Sequence, residues 1–323
     1  MLIVQKFGGS SLADLSRLRR AAGIAAEARR RGSQVALVVS AAGDSTDELL
    51  SLARQILPHP PARELDALLG TGEQVSAALM TMMLWSLGQP ARSFSGPQAG
   101  IRTDGRHGEA AILSVEPERL RRSLEAGEIA VVAGFQGQSP AGDLSTLGRG
   151  GSDTTAVALA AALGAGRCEI YTDVDGIYTA DPRLIPSARL LPEIDSRDML
   201  RLAEAGSQVL HPGSVRLAME KAVPLVLLSS FRAGPGSRVL LLPEERRPPL
   251  AGVTRDPEKN SVTLVGRAAD GALLEALREQ LERSGIPVRE TRAEEGCVTL
   301  TVAPAQLLPA LELCHRAVIM SAE

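Results

Sequence analysis

Val35 to Val39 and Ile129 to Ala133 are each five consecutive apolar residues, with no polar position left to face solvent. A run of this kind is a strand buried on both faces, the interior of a parallel sheet covered by helices. Neighbouring segments carry the complementary period. Leu2 to Val4 forms a short apolar strand that enters the loop Lys6-Phe7-Gly8-Gly9-Ser10-Ser11, and Asp14 to Arg31 is helical in pattern up to Gly32. Helical patterns near Glu73 to Leu87, Glu116 to Glu125 and Ser152 to Leu163 alternate with strands at 129–133 and at Cys168 to Tyr171. Strand, glycine-rich turn and helix in repetition predict an α/β fold, with a mostly parallel sheet between helical layers and ligands at the carboxyl ends of its strands.

The pattern changes at Pro243 to Pro249, a charged, proline-rich PEERRPP with no apolar anchor, which reads as a linker. Beyond it a strand at Val262 to Val265, a helix at Ala272 to Arg283, strands at Ile286 to Glu290 and Cys297 to Val302, and a helix at Ala305 to His315 follow the ferredoxin-like α+β order. The expected organisation is a large domain at 1–242, a linker at 243–249 and one small domain at 250–323.

Composition narrows the function. A net charge of −3 and 2% aromatics argue against a nucleic-acid surface, which needs basic excess and stacking platforms. No apolar run reaches the ~18 residues of a membrane span and no signal-peptide pattern opens the chain, so a cytoplasmic protein is expected. Cys168, Cys297 and Cys314 are odd in number and far apart, and the four histidines are scattered, so neither disulfides nor a metal site is expected. Lys6, Lys221 and Lys259 are the only lysines among 35 basic residues.

Lys6 stands beside paired glycines at the end of the first strand, where a compact ammonium and nearby backbone N–H groups suit a phosphoryl oxygen; a tight turn with a solvated lysine gives the same letters. Gly148-Arg149-Gly150-Gly151-Ser152-Asp153 opens a helix, so its N–H groups and dipole favour an anion and Arg149 can grip a carboxylate, while Ser152 or Asp153 can simply cap the helix. Tyr171 to Arg183 groups Asp173, Asp175 and Asp181 with both tyrosines, Tyr171 and Tyr178, after a buried strand; they fit a nucleotide, or two tyrosines packed on each other. Glu73 begins a predicted helix, and Ser40 with residues 44–48 follows another buried strand.

Taken in order, KFGGSS at 6–11, VVSAAGDSTDELL at 38–50, TGEQVS at 71–76, FQG at 135–137, TLGRGGSDTTAVALAAALGA at 146–165, CEIYTDVDGIYTADPR at 168–183 and VLHP at 209–212 resemble the aspartate kinases of the amino-acid kinase superfamily. The resemblance implies an αβα sandwich followed by a small ACT-type domain. It also implies ATP-dependent phosphorylation of the L-aspartate β-carboxylate to 4-phospho-L-aspartate, toward lysine, threonine and methionine, with Mg²⁺ carried by the nucleotide. By resemblance Lys6 and Asp173 are catalytic, with Asp173 orienting Lys6. Ser40, Thr46, Asp47, Glu73, Arg149, Gly150, Gly151 and Ser152 would hold aspartate. Lys6, Phe7, Gly8, Gly9, Ser10, Tyr171, Thr172, Asp173, Tyr178, Thr179, Ala180, Asp181, Pro182 and Arg183 would hold the nucleotide. The chemistry is consistent, because a carboxylate nucleophile is already ionised at neutral pH and needs no base.

Departures from the family pattern are also visible. One ACT-type domain stands where the family usually has two, Asp270 replaces a proline before Gly271, and Gly213 and Leu228 stand where arginine is common. The last strand of the small domain must come from 251–255, from Val318 to Met320 or from a partner. A homodimer whose feedback inhibition by lysine or threonine is weak, absent or altered is expected. The alternatives are a superfamily kinase acting on a different acid, such as acetylglutamate or carbamate, and a non-catalytic amino-acid sensor.

Overall fold

The computed structural model describes residues 1–321, so the last two positions of the small domain expected at 250–323 lie outside the described residues. Along the chain run β1 (Leu2–Phe7), α1 (Leu15–Arg30), β2 (Gln34–Val39), α2 (Ser45–Ile56), α3 (Ala62–Ser86), β3 (Ala91–Phe94), β4 (Ile101–Thr103) and β5 (Ile112–Val115). Then come α4 (Glu118–Glu125), β6 (Ile129–Ala133), β7 (Gln136–Gln138), β8 (Leu144–Thr146), α5 (Gly151–Leu163), β9 (Arg167–Thr172), β10 (Glu193–Asp195), α6 (Ser196–Glu204), α7 (Pro212–Glu220) and β11 (Leu225–Ser229). The remainder is β12 (Ser237–Leu240), β13 (Gly252–Asp256), β14 (Ser261–Val265), α8 (Gly271–Arg283), β15 (Glu290–Glu294), β16 (Cys297–Thr301) and α9 (Leu307–Met320). Two compact units divide these elements: Met1–Asp175 with Arg216–Pro235, and Gly176–Val215 with the chain from Gly236 on.

In the first unit six strands pair in parallel in the order β11-β9-β1-β2-β6-β3. The two apolar runs are its middle strands, each residue of Val35 to Val39 and Ile129 to Ala133 at most 1% exposed. Burying each of the larger side chains contributes about 1.5–3 kcal/mol. Alternation along β1 turns Ile3 and Phe7 toward α1 and α3, where they join Leu18, Ala22, Met80 and Leu84. Val4 and Lys6 face the other way, where α5 packs on β1 and α4 on β6. The result is the expected helix–sheet–helix sandwich.

Several boundaries differ from the sequence reading for identifiable reasons. β1 continues to Phe7, so Lys6 lies within the strand, opposite Val38 and Ile170. α3 begins at Ala62, far ahead of Glu73, and Gly70 and Gly72 lie inside it. These glycines serve close packing: a Cβ on Gly70 would fall 2.7 Å from Leu144 and one on Gly72 2.9 Å from Ala41. A second sheet, β5-β4-β7-β8, has strands too short and polar to show in the pattern.

The second unit centres on an antiparallel sheet in the order β13-β14-β16-β15, with α8 and α9 contributing to its apolar core. β13, the 252–256 segment, supplies the strand missing from the ferredoxin-like order, and Val318 to Met320 ends α9. Asp270 is the N-cap of α8, accepting from the Leu273 N–H at 2.9 Å, so the residue that replaces proline starts the helix by another means. Residues 176–215 and 236–249, expected in the large domain and the linker, belong to this unit. Val253 N–H donates to the Thr179 carbonyl at 2.8 Å, and Ala180 and Ile185 share a core with Leu264 and Leu300. Among the described residues no helix is long and apolar enough to cross a membrane.

The expected linker is anchored through charge. Arg247, only 7% exposed, donates to both oxygens of the fully buried Asp198, at 2.6 and 3.3 Å, and to Glu244 at 3.0 Å. Burial pushes the Asp198 carboxyl up, against the pull of Arg247. Among the described residues, Arg247→Ala leaves Asp198 with only the distant guanidinium of Arg201, at 3.6 Å. Urea denaturation of the full chain at neutral pH is expected to show a loss of about 3 kcal/mol; an unchanged midpoint would mean the ion pair holds nothing.

Candidate active site

The carboxyl ends of β1, β2 and β6 and the N-terminus of α5 enclose a cleft of about 290 Å³. Two turns form its near wall. Gly9 lies against the turn after β2, its carbonyl accepting the Gly43 N–H at 3.0 Å, and a Cβ on Gly9 would come within 2.8 Å of the Ala41 carbonyl oxygen. A larger residue there would force the two turns apart.

The far wall is the start of α5. Gly150, at φ 74°, is its N-cap and supplies no capping side chain, so neither Ser152 nor Asp153 caps the helix; both lie in its first turn. Gly148, at φ 71°, makes the turn before it. The unblocked helix end presents backbone N–H groups and a positive dipole to the cleft. From the sheet side comes Lys6, whose Nζ lies 2.6 Å from Asp153 Oδ1, with both side chains under 15% exposed. That oxygen takes no hydrogen bond besides the ion pair. The carboxylate on Lys6 is therefore Asp153, where Asp173 was expected; Asp173 is exposed and accepts from the Thr172 hydroxyl at 3.0 Å.

Glu73 enters from the middle of α3, where Gly72 lets the helix approach Ala41. It is 4% exposed, accepts the Ala41 N–H at 3.2 Å through Oε1, and leaves Oε2 buried without a partner. Burial pushes its carboxyl up to about 7, against the pull of the Ala41 N–H. A buried, unpartnered oxygen on a cleft wall is an acceptor awaiting a donor. Arg149 lines the same cleft, is exposed, and has no carboxylate partner among the described residues.

Of the other expected substrate residues, Ser40, Thr46, Gly150, Gly151 and Ser152 line this cleft. Asp47 instead borders a surface groove on α2 with Leu50 and Arg54. Gly9 also lines the cleft, and a Cβ on Gly8 would lie 3.5 Å from Lys6 Nζ. Ser10 is exposed, its carbonyl accepting from Arg17. Phe7 and Tyr171 stack on each other with centroids 4.7 Å apart, and the Tyr171 hydroxyl donates to buried Glu169, so both rings belong to the core. Neither tyrosine arrangement read from the sequence describes Tyr171, whose stacking partner is Phe7. Tyr178, Thr179, Ala180, Asp181, Pro182 and Arg183 fall in the second unit. There the Thr179 hydroxyl contacts His315 Nε2 at 2.9 Å, and Arg183 grips Asp181 in bidentate fashion.

Sequence reading missed Asp153 as the partner of Lys6, and Phe135 as a lining residue. Phe135 holds φ at 70°, unusual for a residue with a side chain, fixed by its N–H to Thr155 Oγ1 and its carbonyl to Leu147 N–H. The signal for Asp153 was present, an acid in the first turn of a helix that follows a glycine loop, but its partner lies on another element.

Residues 1–229 match the sequence model of the Amino acid kinase family. An aspartokinase of Thermus thermophilus is 49% identical over 287 residues, 89% of this chain and 71% of that one. The crystal structure of aspartate kinase from Synechocystis superposes with a TM-score of 0.68 at 38% identity, over 97% of this chain and 54% of that chain. E. coli aspartokinase III in complex with aspartate and ADP gives 0.72 at 28% identity, over 94% and 78%. The chain thus spans about half the length of the Synechocystis protein.

The state of Glu73 has a measurable consequence. A carboxyl with a folded value near 7 keeps its proton in the folded state above the pH at which the unfolded chain loses it. Stability therefore falls as pH rises from about 4.5 to 7, and the penalty is complete above that. Glu73→Gln, which does not titrate, is expected to match the wild type near pH 4.5 and to exceed it at pH 8 by up to about 3 kcal/mol. Denaturation of the ligand-free chain at both pH values measures this; a difference independent of pH would contradict the buried, proton-holding carboxyl.

Proposed function

The chain belongs to the amino acid kinase family, on its aspartokinase branch, and from that membership we propose that it transfers the γ-phosphoryl group of ATP to the β-carboxylate of L-aspartate, giving 4-phospho-L-aspartate and ADP. One observation carries the reading: an ion-paired lysine, an unpartnered buried carboxylate and a free arginine converge on one cleft beside an uncapped helix end. These are complements of a phosphoryl group, an ammonium and a carboxylate, and an α-amino acid that accepts phosphate on its side chain carries the last two.

Glu73 Oε2 takes the α-ammonium, Arg149 the α-carboxylate in bidentate fashion, and the hydroxyls of Ser40, Thr46 and Ser152 complete the hydrogen bonds. The β-carboxylate is ionised at neutral pH, so no group has to remove a proton from it. It attacks the γ-phosphorus as the bond to the ADP oxygen breaks, and negative charge spreads over the equatorial oxygens. Lys6 meets that charge from β1, and the N–H groups at Gly8, Gly9 and the start of α5 meet it from the backbone. Asp153 holds the ammonium of Lys6 in place. ATP arrives with Mg²⁺ on its phosphates as part of the substrate; among the described residues no group of three or more His, Cys, Asp or Glu side chains forms a metal site of its own.

The product class fits amino-acid biosynthesis, with lysine, threonine and methionine as the proposed end points. Pairing of two copies through the small sheet belongs to the same reading, since its edge strand β15 is exposed along its length.

An ADP-release assay with L-aspartate, L-glutamate and N-acetylglutamate tests the proposal. L-Aspartate is expected to be the preferred acceptor, and Lys6→Ala to lower kcat by about 10²–10³ with nucleotide binding largely retained. Preference for another acid would reassign the substrate, absence of turnover with all three would favour a binding protein, and undiminished kcat in Lys6→Ala would remove that lysine from the mechanism.

A further inference from the structure

Seven residues before Glu73, on the same helix, Asp66 is 1% exposed and accepts hydrogen bonds from two other segments. His107 Nδ1 donates to Oδ2 at 2.7 Å, the Gly108 N–H reaches both oxygens at 3.0 and 3.1 Å, and the Thr146 hydroxyl donates to Oδ1 at 2.5 Å. None of these residues lines the cleft, and the mechanism above uses none of them. A buried carboxylate without a full set of donors costs several kcal/mol, so this cluster holds its geometry tightly.

The cluster links the two chain segments that carry the side chains assigned to the amino-acid end of the substrate. On one side Asp66 and Glu73 are about two helical turns apart on α3, a rigid separation on one face. On the other side Thr146 ends β8 and is followed three residues later by Arg149. The Ala110 N–H donates to the Thr146 carbonyl at 2.9 Å, and Gly148 sits so close to the 107–108 turn that a Cβ there would lie 3.1 Å from the Gly108 oxygen. The loop carrying Arg149 thus rests on a turn that Asp66 holds, while Glu73 belongs to the helix that carries Asp66.

We propose that Asp66 is a positioning residue that fixes the spacing between Glu73 and Arg149, and so sets affinity for the amino-acid substrate without touching it. The inference rests on the assignment of Glu73 and Arg149 to aspartate. Lys6 and Asp153 belong to β1 and α5, outside the cluster, so a change at Asp66 separates the substrate arms and leaves the phosphoryl end in place.

Steady-state kinetics of the full chain with both substrates varied test this. Asp66→Asn keeps the volume and one acceptor oxygen but turns an amide donor toward one of the three donors. The KM for L-aspartate is expected to rise about tenfold or more, with the KM for ATP within about twofold of the wild type and kcat little changed. Thr146→Val, which removes one donor in an almost unchanged shape, is expected to move the same constant in the same direction by less, and the pair to be less than additive. Should Asp66→Asn fail to fold, Thr146→Val carries the test alone. An unchanged KM for L-aspartate, or a joint shift of both KM values and kcat, would overturn the inference in favour of a purely structural cluster. A wild-type chain inactive with L-aspartate would overturn the functional reading and this inference with it. An active wild type with an unselective Asp66→Asn overturns the inference alone.

Discussion

An ammonium can cancel charge on a migrating phosphoryl group only if it is held at one place. The contact between Lys6 and Asp153, 2.6 Å long with both groups mostly shielded from solvent, meets that demand. A partly buried ion pair offsets its desolvation only with good geometry. The parallel sheet supplies the geometry. β1 is flanked by β2 and β9, its residues alternate between the two faces, and Lys6 emerges on the face that α5 covers. With the lysine fixed, the turn at Gly8 and Gly9 and the left-handed turn at Gly148 and Gly150 have little freedom, and the cleft forms between them.

Opposite this neutral pair the cleft carries uncompensated groups. Among the described residues Glu73 is buried with one oxygen unpartnered, and Arg149 is exposed without a partner. In the free protein the buried Glu73 oxygen is unfavourable, and its cost is recovered when a ligand ammonium reaches it, whereas the exposed Arg149 is solvated and open to a ligand carboxylate. α3 brings Glu73 so deep only because Gly72 lies against Ala41, a packing constraint that looks like a helix breaker in the sequence.

Much of the frame was legible before the structure, because the physics that decides it is local. A five-residue apolar run has no solvent face, so β2 and β6 had to be interior strands, and the glycines after β1 and before α5 had to be tight turns. What escaped was set by pairing between distant segments. Asp153 meets Lys6 across almost the whole unit in sequence, Tyr171 stacks on Phe7 and not on Tyr178, and Asp66 joins three segments. The segment 243–249 reads as a linker for the same reason, since nothing local shows that Asp198 lies beneath Arg247. The segment 178–183 follows a strand that reads as nucleotide-binding, yet it is built into the small unit through Thr179 and Ala180, contacts that no local pattern encodes.

Charge cancellation without a general base is the central claim, and the rate of the phosphoryl-transfer step is its most direct test. In single-turnover experiments with saturating L-aspartate and MgATP, the rate is expected to be flat across neutral and mildly alkaline pH and the same in H₂O and D₂O, because no proton moves in that step. A rate that climbs with the titration of one group and slows in D₂O would show a proton in flight, and would contradict a mechanism built on Lys6, Asp153 and the backbone alone.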